Sequence, residues 1–148
     1  MEKETILLVE DERAWQREVR RILEEAGYAV LLADTYEEAL RLVQAHPVRA
    51  AVVDVSLIPG DAYDRQGLAL MAEAGLPVVC LSGYLSDEEV KALLKDGNAE
   101  WFFAKQTFAG KEQRFLDAVA YALDVGDQEI GDRWHTIERR LGRSGRLT

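Results

Sequence analysis

The chain has 148 residues, 48% of them hydrophobic and 30% charged, with 27 acidic against 18 basic side chains and a formal charge of −9. So large an apolar fraction excludes a disordered chain, and the apolar runs are of strand length, far short of the ~18 residues of a membrane helix. The single cysteine, Cys80, excludes an intrachain disulfide and a cysteine-rich metal site, and the acidic balance disfavours binding to nucleic-acid phosphates.

Met1-Glu2-Lys3-Glu4 is charged and leads directly into an apolar run with no signal-peptide core, so a cytoplasmic protein without membrane attachment is expected. Thr5 to Val9 is the first predicted strand. Trp15, Val19, Ile22, Leu23 and Ala26 then recur on one helical face that stops at Gly27. Ala29 to Ala33 is the second strand. Thr35-x-x-Glu38, a capping-box spacing, opens a helix carrying Tyr36, Leu40 and Val43 that closes before Pro47. Ala50 to Val55 is the third strand, followed by a helix through Leu68, Met71 and Ala72 that ends near Gly75. Val78 to Ser82 is the fourth, with Cys80 as a core thiol. Ser86-x-x-Glu89 opens a helix through Val90, Leu93 and Leu94 that stops at Gly97. Trp101 to Ala104 is the fifth strand, and Leu116, Val119, Ala120 and Leu123 mark the last helix of the series.

None of the five runs alternates with polar residues, the pattern of strands covered on both faces. Five βα units in tandem with right-handed crossovers give a doubly wound, five-stranded parallel α/β domain over residues 1–125. Residues 126–148 follow as a linker and a short basic helix. Gly126 to Asp132 is polar with two glycines and reads as a linker or helix break. Ile130, Trp134, Ile137 and Leu141 then form one apolar stripe. Residues 133–148 hold five arginines against Glu138, a local charge of +4 that leaves −13 for residues 1–132. The segment is too short for a core of its own, so no DNA-binding output domain is expected in this chain. Its stripe can pack back on the domain, pair with a second copy in a homodimer, or dock on a partner. His135 reads as a bystander.

Doubly wound folds place their sites at the carboxyl ends of the strands. There the sequence sets Glu10-Asp11-Glu12, Asp54, Ser82-Gly83 and Lys105. Converging carboxylates repel unless a cation lies between them, and all-oxygen donors with open water positions suit Mg²⁺. Glu12 equally fits a solvated helix start, where the dipole favours an acid. Asp54 ends a central apolar strand and requires a partner, whereas Lys105 is placed to neutralise an anion.

This distributed set resembles the receiver domains of bacterial two-component response regulators: an acidic pair after strand one (Glu10, Asp11), an acceptor aspartate after strand three (Asp54), a hydroxyl after strand four (Ser82) and a lysine after strand five (Lys105). The resemblance covers about residues 4–125, and Ile6-Leu7-Leu8-Val9-Glu10-Asp11-Glu12 is close to the family's usual opening. It implies a flavodoxin-like (βα)5 fold of strand order 2-1-3-4-5. It also implies a signalling phosphoacceptor rather than a turnover enzyme. Mg²⁺, with Mn²⁺ as a substitute, would be held by Glu10, Asp11, Asp54 and the backbone carbonyl of Ser56. Asp54 would accept a phosphoryl group from a sensor histidine kinase or phosphotransfer protein, and Ser82 and Lys105 would bind its oxygens. Phe102, three residues before the lysine, would rotate inward to change contacts with a downstream protein target; its other reading is plain core packing. Gly83 and Tyr84 flank the site, and Tyr84 stands where the family tunes the access of water.

Two departures stand out. Gln106 replaces the proline that usually follows the lysine, so a trans Lys105-Gln106 bond is expected, because a non-proline cis bond costs ~2.5–4 kcal/mol. After Asp54 the helix-entry glycine is delayed to Gly67, which leaves a longer loop over residues 57–66 that either gates the site or is a tolerated surface insertion. Three other readings compete: a phosphorylation-independent interaction module on the same fold, a haloacid-dehalogenase-type phosphatase, and an FMN carrier. The phosphatase would have a second aspartate where Ser56 stands, and Glu10-Asp11-Glu12 would repel the FMN phosphate.

Overall fold

The computed structural model describes residues 3–61, 63–83, 85–96 and 99–140, excepting the side chains of 127–140. Strands and helices alternate as β1 (Thr5–Val9), α1 (Arg13–Glu25), β2 (Ala29–Ala33), α2 (Tyr36–Ala45), β3 (Ala50–Val53), α3 (Gln66–Ala74), β4 (Val78–Ser82), α4 (Asp87–Lys95), β5 (Trp101–Ala104) and α5 (Glu112–Arg140), with a 3₁₀ turn at Lys105–Thr107. The strands form one parallel sheet in the order β2-β1-β3-β4-β5.

Local chemistry explains most boundaries. The Thr35 hydroxyl accepts from the Glu38 N–H at 3.2 Å, and Ser86 and Glu89 make both halves of a capping box. Gly75 closes α3 with φ +66°, a left-handed conformation in which a Cβ would be strained.

Successive residues of each strand feed opposite faces of the sheet. Ile6 and Leu8 of β1 join Val52, Leu81, Phe103 and Phe115 beneath α1 and α5. Leu7 and Val9 join Val53, Cys80, Leu70 and Leu93 beneath α2, α3 and α4. Phe115 is fully buried and meets Phe103 and Phe108 edge-to-face, with ring centroids 5.8 and 5.5 Å apart. Each such side chain contributes about 1.5–3 kcal/mol by leaving water.

Three expectations need correction. β3 ends at Val53 rather than Val55: its last ladder bond is Asp54 N–H to Val9 O, 3.0 Å, after which the chain turns although Val55 remains buried. β5 feeds both faces through Phe102 and Phe103, but its start is less covered than expected. It is the edge of the sheet, and Trp101 is 53% exposed. Residues 126–132 are helical rather than a linker or break, since α5 runs through them. Gly126 is there for space: a Cβ would stand 2.9 Å from the Pro77 ring. Ile130, Trp134 and Ile137 fall on α5 beyond the described side chains, and Leu141 lies outside the described residues, as do Tyr84 and Gly97.

Candidate functional site

The sheet order itself opens the cleft. β1 and β3 are neighbours, but their connections leave towards α1 on one face and α3 on the other, so the carboxyl ends part at a switch in strand order. The register pairs Val9 with Val53 and Ser82 with Ala104, which delivers Glu10 beside Asp54 and Lys105 just beyond Ser82.

Asp54 is 4% exposed and fully engaged. The Ser82 hydroxyl donates to its Oδ1 at 2.7 Å, the Ser56 N–H donates to the same oxygen at 3.2 Å, and the Lys105 ammonium donates to Oδ2 at 2.7 Å. Lys105 also pairs with Glu10 at 2.8 Å and Glu12 at 3.2 Å, and its Nζ lies 5.3 Å from the centroid of the Trp15 ring. These groups open onto a cleft of about 350 Å³, whose far wall is Ile58, Pro59, Gly60 and Asp61 of the long loop.

The charges do not balance. Burial, reinforced by the Asp54 charge, pushes the Glu10 carboxyl up to about 8 despite Lys105. Burial likewise raises Asp11. Burial works against the Lys105 ammonium, but the Asp54 and Glu10 carboxylates outweigh it and hold the lysine above its ordinary range. Glu10, Asp11, Glu12 and Asp54 each place a carboxylate oxygen within 4.8 Å of the others. Oxygens sharing one octahedral Mg²⁺ lie about 3–4 Å apart. Hard, all-oxygen donors with surplus negative charge make this pocket compatible with a divalent cation.

Glu10, Asp54, Ser82 and Lys105 are thus brought into direct contact, with Asp11 and Gly83 on the cleft wall. Phe102 stands apart, half-buried against the cluster that contains Leu93 and Ala99. Glu12, read as a solvated helix start, is exposed yet reaches Lys105. Trp15, read only as core, covers that same lysine. The Lys105-Gln106 bond is trans, and the Gln106 amide donates to the Gly83 carbonyl, tying together the loops after β4 and β5. Gly67 seats the start of α3 on the acceptor strand, because a Cβ there would lie 2.1 Å from the Asp54 carbonyl oxygen.

The model of the response regulator receiver domain matches residues 6–119. Over 90% of its length the chain is 30% identical to the sensory/regulatory protein RpfC of Xanthomonas campestris pv. campestris, of which it spans 18%. It is 26% identical to the photosynthetic apparatus regulatory protein RegA of Cereibacter sphaeroides, covering 91% of this chain and 75% of that one. A CheY-like response regulator receiver domain protein from Methanospirillum hungatei superposes with a TM-score of 0.70 at 26% identity, over 86% of this chain and 99% of that one. No helix among the described residues is long and apolar enough to cross a membrane. With the strand order, the cleft at its switch point and the match over residues 6–119 all in agreement, this chain belongs to the receiver domains of two-component response regulators.

Proposed function

We propose that Asp54 is a phosphoacceptor that receives a phosphoryl group from the phospho-histidine of a sensor kinase or phosphotransfer protein, in the cytoplasm, and thereby switches protein contacts. The observation that carries this reading is the convergence on one buried carboxylate, at the end of a central strand, of a hydroxyl and an ammonium, each 2.7 Å from a different oxygen. When bound, Mg²⁺ or Mn²⁺ supplies charge screening between the carboxylate and the incoming phosphoryl group; Glu10, Asp11, Asp54 and the Ser56 carbonyl are the groups to hold it.

The chain's own residues perform the rest. Lys105 and Ser82 orient the Asp54 carboxylate by its two oxygens, and the cleft leaves room for a phosphoryl group approaching in line. An Asp54 oxygen forms the new P–O bond as the P–N bond to the donor imidazole breaks, and the imidazole leaves with the electron pair and takes up a proton. The acyl phosphate carries ~1.5–2 negative charges. Lys105 and Ser82, already at hand, then hold its oxygens. One group is transferred per chain, so the protein is a signalling acceptor rather than a turnover enzyme. Phe102, half-buried on β5 opposite Cys80 of β4, is the side chain proposed to relay the change to a downstream protein. The segment beyond residue 125, with Ile130, Trp134, Ile137 and Leu141, is proposed to serve a homodimer or partner contact.

The test is incubation with Mg²⁺ and a small phosphodonor such as acetyl phosphate, followed by intact mass. One phosphoryl group per wild-type chain and none on Asp54→Ala supports the reading. An unmodified wild type points instead to a phosphorylation-independent interaction module.

A further inference from the structure

The long loop between β3 and α3 is tied at both ends, and the ties lead from the acceptor to α4. Asp64 does most of the holding. Its Oδ2 accepts the Leu57 N–H at 2.8 Å and the Gln66 N–H at 3.3 Å, while its carbonyl accepts the Ser56 hydroxyl at 3.0 Å. The peptide joining Ser56 to Leu57 is therefore gripped on both sides, two residues beyond Asp54, whose Oδ1 accepts the Ser56 N–H. Arg65 continues the chain of contacts. Its Nη1 donates to the Asp64 carbonyl at 2.9 Å, and its Nε and Nη2 fork onto the two oxygens of Glu89 at 2.8 and 3.3 Å. Glu89 is also the reciprocal half of the α4 capping box, since it accepts the Ser86 N–H at 3.2 Å. One carboxylate thus closes the first turn of α4 and anchors the loop.

We infer that Asp64 and Arg65 are positioning residues for the acceptor site: they fix the Ser56 peptide and couple it, through Glu89, to the N-terminus of α4. The inference rests on the phosphoacceptor reading, in which the Ser56 carbonyl is the main-chain donor to the cation. It adds a route to α4 that bypasses Ser82 and Phe102, because it runs through the loop after β3 rather than through β4 and β5. Coupling of this kind is reciprocal. Cation binding at the Ser56 carbonyl steadies α4, and loosening the Arg65–Glu89 contact weakens cation binding. An isolated surface ion pair would instead contribute only a little stability and nothing to affinity.

The test uses the full chain and Mg²⁺ alone, read by tryptophan fluorescence, with Trp15 as the reporter next to Lys105. A second readout is hydrogen exchange of the α4 amides with and without Mg²⁺. Arg65→Ala is expected to weaken Mg²⁺ binding about three- to tenfold. Glu89→Gln, which keeps an acceptor for the cap, does the same, and the double variant is no weaker than either single one. In wild type Mg²⁺ slows exchange at Val90 and Leu93, and in Arg65→Ala it does not. Arg65→Lys, which preserves charge and solubility but not the fork, falls between. Affinities within twofold of wild type, or an unchanged α4 response in Arg65→Ala, would overturn the coupling while leaving the acceptor reading intact. A wild type that neither responds to Mg²⁺ nor takes up a phosphoryl group would remove both.

Discussion

Replacing Gly67 with alanine tests how closely the acceptor is held. A Cβ at this position would lie 2.1 Å from the Asp54 carbonyl oxygen, 2.6 Å from the Val55 Cα and 2.8 Å from the Val55 oxygen. All three are backbone atoms, so no side chain can rotate away, and either the start of α3 or the end of β3 must shift. Overpacking of this kind costs about 1–3 kcal/mol and occasionally more. The 2.8 Å bond from the Gly67 N–H to the Val55 carbonyl is stretched in the process, at about 1 kcal/mol. Alanine's better helix propensity returns at most about 1 kcal/mol. The balance is a loss of about 1–4 kcal/mol, which at a urea m-value of roughly 2 kcal/mol/M moves the midpoint down by about 0.5–2 M. Gly75→Ala is the control: nothing lies within 4 Å of its Cβ, and its cost comes from φ +66° alone, about 1–2 kcal/mol. Gly67→Ala should also slow phosphoryl uptake and Gly75→Ala should not. A Gly67→Ala midpoint within about 0.3 M of wild type, with normal uptake, would refute the close approach.

The remaining predictions concern the charges. Lys105→Met leaves the buried Asp54 and Glu10 side chains without their ammonium and should destabilise the metal-free protein by on the order of 3 kcal/mol at pH 8, and by less at pH 5, where Glu10 holds a proton. A loss under about 1 kcal/mol in urea titrations at both pH values would contradict that. Because Glu10 rises from 4.5 to about 8 on folding, the folded state binds the extra proton, and metal-free stability should fall as pH climbs through that window. Glu10→Gln should flatten this slope, as measured by thermal melts across the range. Trp15→Leu removes the ring over Lys105 and should abolish most of the Mg²⁺-dependent fluorescence change; a full response from the remaining Trp101 and Trp134 would show that the cation is sensed elsewhere.

Helix starts were legible wherever a side chain caps the backbone, as at Thr35 and Ser86, because capping is a contact over three residues. The strand ends carrying Glu10, Asp54, Ser82 and Lys105 were legible because a charged or hydroxyl residue after an apolar run has few structural uses. What stayed hidden depends on distance through space. Trp101 looks like core in sequence and is exposed at the start of the edge strand, while Phe103 on the same face is buried. Gly126 looks like a break and is a packing glycine against Pro77. Asp64 and Arg65 read in sequence only as members of the long loop, and only the approach of α4 brings Glu89, 24 residues away, within reach of Arg65. The same holds for Trp15 and Lys105, whose meeting needs the junction of α1 with the loop after β5.

The most direct measurement is the mass of the intact protein after incubation with Mg²⁺ and acetyl phosphate, followed by peptide mapping of the modified residue. One phosphoryl group per chain, located on Asp54, lost in Asp54→Ala and prevented by chelating the metal, is the predicted result. A wild-type chain that stays unmodified, or that carries the group on another residue, would contradict the account.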